Sequence, residues 1–132
     1  MIKVCSLFSG SSGNCIYVSS GETAVLIDAG VSGTRIEKAM ASIGESMNTI
    51  TAILITHEHS DHICGAGILA RRHKIPIYAN SQTWEAMRRD IGKLYSEQVK
   101  ILNVGEEEQI GDITVKSFDI PHDAIMPVGY NL

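Results

Sequence analysis

The amino-acid sequence predicts an α/β fold, and three observations support this prediction. Short apolar runs of strand length alternate along the chain with stretches whose apolar residues recur at helical spacing. The run from Ala52 to Thr56 is β-branched and almost wholly apolar, which is typical of a strand covered on both faces of a sheet. No linker or low-complexity segment interrupts the alternation, so residues 1–132 are expected to form a single domain.

The first third of the chain predicts three strands followed by a helix. We expect the strands at residues 2–8, 15–18 and 24–28. Ser20-Gly21 joins the second and third in the manner of a hairpin, because both residue types favour turns. Ser32 is suited to cap the helix that follows, and Gly44 is suited to end it.

The rest of the chain continues the alternation. We expect strands at residues 52–56, 77–79, 99–102 and 113–118, one helix over about 63–72, and another that starts at Ser81. The acidic segment GEEEQIGD, residues 105–112, is interpreted as a turn region between the last two strands.

Composition narrows the classes of function. A formal net charge of -4 argues against broad adhesion to nucleic acid, although a local basic face remains compatible with it. No apolar run approaches the roughly 20 residues that cross a bilayer, and the N-terminus lacks a signal-peptide pattern, so we expect a cytoplasmic protein without membrane contact. The three cysteines form no C-x-x-C pair, which disfavours a disulfide framework or a zinc finger.

The stretch ILITHEHSDH, residues 53–62, carries the chemistry. On an extended backbone His57, His59 and Asp61 lean toward one side, whereas His62 is directed elsewhere. Imidazoles with a carboxylate suit zinc, with manganese, iron or nickel as competitors. This cluster can therefore serve two divalent ions, and such a pair can activate water for hydrolysis.

Several segments together resemble one known family. THEHSDH and LIDAG, the latter containing Asp28, resemble two signatures of the metallo-β-lactamase superfamily. The segments SLFSGSSGNC, IPIYANSQTWEAM and HDAIMPVGYNL are similar to its YycJ/WalJ branch, whose members are described as metal-dependent hydrolases with 5′-to-3′ exonuclease character.

The resemblance implies an αββα sandwich with metals at one edge. It implies that His57, His59 and His122 bind the first ion, and that Asp61 and His62 bind the second. Asp61 would be the catalytic carboxylate, because it holds the second ion and the attacking water. Asp28 is expected to orient the histidines through hydrogen bonds rather than to bind metal.

One departure from the family pattern concerns residues that are absent. The superfamily has a later bridging aspartate and a final histidine. After His122 this sequence has one carboxylate, Asp123, which matches no bridging position, and no further histidine. We therefore expect the chain to be the N-terminal αβ half of a longer product. In such a half, the inward positions of 24–28 and 52–56 would lack cover, which predicts a dimer or an aggregation-prone chain.

Two interpretations of the segment SGSSGN, residues 9–14, remain open. It could be a substrate loop, with Ser11, Ser12 and Asn14 binding an anion, or a plain turn between strands. The basic run RRHK, residues 71–74, could follow a phosphate backbone or complement the dipole of a helix end. His73 has no ligand partner nearby in sequence and is left out of the site.

Three functions are compatible with these residues. The first is a dinuclear phosphodiesterase, a 5′-to-3′ exonuclease acting on nucleic acid. The second is a metal-binding half-domain without turnover. The third is hydrolysis of a thioester or a β-lactam, which uses the same metals and differs in a pocket that the sequence does not reveal.

Overall fold

The computed structural model describes residues 2–119 and 128–131, and within them it contains two β-sheets and four α-helices. The larger sheet has six strands in the order in which they occur in the chain. They are β1 (Lys3–Phe8), β2 (Cys15–Ser19), β3 (Ala24–Ile27), β4 (Ile50–Leu54), β5 (Ile77–Ala79) and β6 (Val99–Ile101). β1 to β3 pair antiparallel, and β3 to β6 pair parallel, so the predicted α/β class is confirmed.

The helices cover one face of this sheet. They are α1 (Gly33–Ser42), α2 (Ser60–Ile63), α3 (Ala66–His73) and α4 (Ser81–Ile91). The side chain of Ser32 accepts a hydrogen bond from the Arg35 amide at 3.3 Å, as a capping residue should. Asn80 caps α4 in the same way, through Thr83. Between sheet and helices lies the larger apolar core, which includes Leu26, Ile53, Met40, Leu69 and Trp84.

A second sheet covers the other face. It consists of β7 (Glu107–Ile110), β8 (Ile113–Asp119) and β9 (Val128–Asn131), all antiparallel. Ile113 and Val115 form one apolar cluster with Val25, Ala52 and Leu54, and the last three are fully buried. The expectation that the inward positions of 24–28 and 52–56 lack cover is therefore wrong, and the prediction of association loses that support.

Two sequence interpretations are corrected by the way segments pair. The acidic segment 105–112 is not only a turn, because Glu107–Ile110 pairs with β8 and buries Ile110. The helix expected over 63–72 is divided into α2 and α3 at Cys64–Gly65. There the Gly65 amide donates to the carbonyl of Ala29 at 2.7 Å, and a Cβ on Gly65 would lie 2.3 Å from the carbonyl oxygen of Val31.

The turn after β7 is tied to the hairpin between β2 and β3. The Ser20 hydroxyl donates to the Asp112 carboxylate at 2.5 Å, and the Asp112 amide donates to Thr23 Oγ1 at 3.3 Å. The hydrogen bond from Ser20 to the carboxyl group, followed by one from the Thr23 side chain, holds the pKa of Asp112 below its ordinary value of 3.8. The stabilisation from the Ser20–Asp112 hydrogen bond is therefore complete above the ordinary pKa of 3.8, and it is lost as the pH falls through the lowered pKa of Asp112.

In the part of the chain that the structure describes, no helix has the length and apolar character needed to cross a bilayer.

The two-sided cover of β4 predicts unequal costs for two truncations. Leu54→Ala should reduce the free energy of unfolding by about 2 to 5 kcal/mol, because it leaves a cavity between the sheets. Val4→Ala on β1 should change it by less than about 0.5 kcal/mol, because Val4 is 64% exposed. Urea titration measures both, and a Leu54→Ala cost as small as that of Val4→Ala would show that the second sheet does not close over β4.

Candidate metal centre

The candidate site lies where two parallel strands end. β3 and β4 run in the same direction, so Asp28 after β3 and the histidine loop after β4, defined as residues 56–62, lie at the same sheet edge. The backbone turns sharply at Asp28, which has φ 64°, a conformation that few side chains other than Asp and Asn adopt readily. The predicted strands 24–28 and 52–56 both end earlier, at Ile27 and Leu54, because the chain leaves the sheet to form the site.

Three of the predicted ligands come together. His57, His59 and Asp61 each offer one ligand atom, and these atoms all lie within 4.8 Å of one another. His57 is buried, at 4% exposure, whereas His59 and Asp61 are partly exposed. Two imidazoles with one carboxylate, open to solvent on one side, match the ligand types of a catalytic zinc site. The donor set therefore fits a divalent transition metal, although it does not identify which one.

His62 lies next to this group. Its ring centroid is 3.7 Å from that of His57, and the two planes are inclined by 46°. Nδ1 of His62 faces the Asp28 carboxylate at 2.6 Å, and Nε2 lies 3.5 Å from Oδ2 of Asp61. Asp61 thus lies close both to the His57/His59 pair and to His62.

Asp28 makes the hydrogen bonds that were expected of it. Its Oδ1 accepts from the Thr56 amide at 2.8 Å, and its Oδ2 accepts from the Thr56 hydroxyl at 2.7 Å. The same Oδ2 lies 2.6 Å from Nδ1 of His62. A carboxylate can only accept, so His62 donates through Nδ1, and Nε2 is the nitrogen that can accept a hydrogen bond or bind a metal.

Burial and the neighbouring carboxylates shift the pKa of His62 in opposite directions. Burial by itself lowers the pKa of an imidazole, because it disfavours the charged form. The hydrogen bond to Asp28 and the charges of Asp28 and Asp61 outweigh burial, so the pKa of His62 is raised above its ordinary value of 6.5. The two carboxylates therefore give this position a negative potential, which favours a cation.

Asn14 contacts the histidine loop directly. Its amide nitrogen Nδ2 lies 3.3 Å from Oδ2 of Asp61 and 3.2 Å from Nε2 of His62. Its backbone amide donates to the carbonyl of Asp61 at 2.8 Å, and its carbonyl accepts from the Gly30 amide at 2.8 Å. These contacts place Asn14 as a bracket that holds Asp61 and His62.

Ser11 and Ser12 are placed differently from Asn14. Both are exposed at the tip of the turn that Gly10 and Gly13 form, and no described contact joins their side chains to the histidine loop. Their substrate role stays a prediction. His122 lies outside the described residues, so its part in the first site also stays a prediction.

Two residues of the site were missed by sequence reasoning. Threonine is not among the ligand types that the sequence analysis considered. The hydroxyl of Thr56 nevertheless lies 2.7 Å from Asp28, 3.1 Å from His57 and 3.2 Å from His62. At Gly30 a Cβ would lie 1.8 Å from the carbonyl oxygen of Asp61, so only glycine fits there. The available signals were the threonine directly before the first histidine and the glycine after LIDA.

His73 is bonded elsewhere, as expected from its isolation in the sequence. Its Nε2 lies 2.6 Å from the Glu37 carboxylate, which also pairs with Arg72. Cys15 is buried, and burial raises the pKa of its thiol to about 12, so it is not a thiolate ligand at neutral pH.

Comparison with known proteins supports the family resemblance. Over 124 residues the chain is 46% identical to exodeoxyribonuclease YycJ of Bacillus anthracis, and the match covers 94% of this chain and 47% of that protein. It is 45% identical over 126 residues to exodeoxyribonuclease WalJ of Streptococcus pneumoniae, with the same coverage of both chains. Ribonuclease Z of Methanopyrus kandleri is 30% identical over 113 residues, which are 81% of this chain and 39% of that one. The predicted resemblance to the YycJ/WalJ branch is confirmed, and the chain spans about half the length of these relatives.

Solved structures show the same fold. A B3 metallo-beta-lactamase with an active-site glutamic acid superposes with a TM-score of 0.79 at 21% identity, covering 96% of this chain and 53% of that one. MEM-A1, a subclass B3 enzyme from a soil metagenome, gives 0.78 at 22% identity, with the same 96% and 53% coverage. At such identities the likeness establishes the fold alone. A family model covers residues 9–129, and on this match the chain belongs to the metallo-beta-lactamase superfamily.

Proposed function

We propose that this chain supplies the main metal-binding residues of a metal-dependent nuclease that hydrolyses phosphodiester bonds in nucleic acid, with 5′-to-3′ exonuclease polarity. The observation that carries the proposal is the convergence of His57, His59 and Asp61 at one sheet edge, with His62 beside them. The relatives YycJ and WalJ, at 46% and 45% identity, are named exodeoxyribonucleases, which supports DNA as the substrate.

Each side chain has a distinct task in this proposal. His57 and His59, with His122, would hold one divalent ion, and Asp61 with His62 would hold the second. Two such ions, when bound, supply an activated water and neutralise charge on the phosphate. Asp61 is the catalytic carboxylate, and Asn14 limits its rotation. Asp28 fixes the ring orientation and tautomer of His62, as carboxylates behind metal-binding histidines do.

The ion is proposed to be zinc, with manganese as the alternative, because imidazole and carboxylate ligands suit both to different degrees. We also propose a cytoplasmic location, and activity that depends on further ligands, an aspartate and a histidine, beyond those in these 132 residues. Turnover is therefore to be measured on this chain and on any longer gene product that contains it.

The metal assignment predicts a difference between two histidine variants. His57→Ala should remove most of the tightly bound metal from the purified chain, because among the proposed ligands that the structure describes His57 is the most buried. His73→Ala should retain it, because His73 faces Glu37. Elemental analysis of protein purified without chelators measures both, and equal losses would contradict the assignment.

The position of Asn14 predicts an effect on metal rather than on substrate. Asn14→Ala should weaken metal affinity by about 10-fold to 100-fold, because the groups that orient ligands contribute on that scale. Ser12→Ala, on the exposed tip of the same turn, should leave it unchanged. Competition with a coloured chelator measures the affinities. Unchanged metal affinity in Asn14→Ala with a raised KM would instead support the substrate-loop interpretation.

The proposed chemistry predicts how replacement of Asp61 changes the rate of DNA cleavage. In a chain that cleaves DNA, Asp61→Asn should lower the rate by about 100-fold or more, since a ligand should matter at least as much as the groups that orient it. Its thermal unfolding without metal should be nearly unchanged, because Asp61 is partly exposed. Near-normal cleavage by this variant would exclude a two-metal mechanism.

The same assay separates the three candidate functions. A single strand with a 5′-phosphate should be hydrolysed faster than a thioester or a β-lactam. The reverse order would favour the third function, and metal binding without turnover of any of them, in every chain tested, would favour the half-domain.

A further inference from the structure

A basic cleft lies at the sheet edge opposite to the histidine loop. Two adjoining depressions of about 460 and 370 Å³ open where α3 and α4 end, and both are lined by Lys93 and Leu94. α3 starts near the histidine loop and runs for eight residues, about 12 Å, toward this edge. The cleft is therefore separate from the candidate metal centre.

The cleft concentrates positive charge on an acidic chain. Five of the 11 lysines and arginines line it, namely Arg71, Lys74, Arg88, Arg89 and Lys93. No carboxylate is among its lining residues, and within the described part of the chain none lies within 4 Å of these five cations. The local charge is thus opposite in sign to the net charge of -4.

Helix dipoles explain only part of this concentration. Arg71, Arg88 and Arg89 lie in the last turns of α3 and α4, where cations complement the exposed carbonyls. Each helix end carries a charge equivalent to about -0.5, so the two ends together offset about one of five positive charges. Lys93 lies beyond the end of α4, in the loop that precedes β6. Arg71 also donates to the carbonyls of Ile91 and Lys93, so the other four cations supply most of the charge that a ligand would meet.

The rest of the lining suits the bases of a nucleic acid. Tyr95 is 70% exposed beside Leu94, and an exposed aromatic ring offers a stacking surface to any base. A compact phosphate site is less compatible with this place, because both helices present their carboxyl ends rather than the amide-bearing ends that bind anions. Cations spread over two joined depressions match a chain of phosphates better than a single one.

We propose that the basic cleft binds a short single-stranded segment of nucleic acid, with phosphates along the cations and a base on Tyr95. The proposal rests on the proposed function for the choice of nucleic acid, and it extends that function by a second, non-catalytic contact with the strand. Binding here needs no metal, because none of the lining residues belongs to the histidine loop.

The test is the binding of a fluorescein-labelled 15-nucleotide oligodeoxythymidine, measured by anisotropy in EDTA at several potassium chloride concentrations. Lys74→Gln combined with Lys93→Gln should weaken binding about 10-fold. It should also reduce the salt slope, which is the slope of log affinity against log salt concentration, by about 1.4. Each lost contact with a phosphate of a single strand removes about 0.7 from that slope. The matched control is Lys38→Gln with Lys116→Gln, two exposed lysines outside the cleft, and it should leave both quantities nearly unchanged.

Tyr95→Ala should weaken binding about fivefold or more with little change in the salt slope, because stacking displaces no counterions. Thermal unfolding of each variant confirms that it is folded. His57→Ala should bind the oligonucleotide as the unchanged chain does, which separates this proposal from the nuclease assignment.

Three results would overturn the proposal. They are no binding by the unchanged chain at micromolar concentrations, equal weakening by the two lysine pairs, and full binding by Tyr95→Ala. The last would show a surface that responds to charge alone, as an acidic protein partner would use. Loss of nuclease activity in the metal variants with intact cleft binding would leave the present proposal standing.

Discussion

The site depends on one buried carboxylate, that of Asp28. It accepts two hydrogen bonds from Thr56 and one from His62, and it is only 4% exposed. Its left-handed backbone costs about 1 to 2 kcal/mol, whereas each hydrogen bond to a charged group contributes about 1.5 to 3 kcal/mol. The bonds therefore outweigh the strain. The end of β3 is thereby fixed to the loop after β4, and the positions of the histidines follow from that connection.

Backbone hydrogen bonds hold three loops together around this carboxylate. The Asn14 amide donates to Asp61, the Gly30 amide donates to Asn14, and the Ala29 amide donates to His62. Such close contacts between main chains leave no space for side chains, which explains why glycine stands at position 30. These hydrogen bonds are made within the protein itself, so they constrain the three loops without a ligand, as a metal centre requires of its surroundings.

Cover on both sides of the large sheet explains how a short chain can hold this loop in place. Ile53 and Ile55 pack toward the helices, while Ala52 and Leu54 pack toward the smaller sheet. The strand that leads into the histidine loop is thus fixed by two cores. The charged groups are also separated. Carboxylates and imidazoles lie at one edge of the sheet, and five cations lie at the opposite edge.

The sequence by itself determined the α/β class, the limits of β5 and the start of α4, because these follow from local periodicity and capping. It also indicated the histidine loop, because ligand types at close spacing are visible without a fold. Only the tertiary structure decided that Glu107–Ile110 is a strand, since its pairing with β8 overrides a charged, turn-like composition. It alone showed the contacts of Asn14 and Thr56 with the candidate metal ligands, and the grouping of cations from α3, α4 and the following loop, because residues far apart in sequence meet only when the sheet forms.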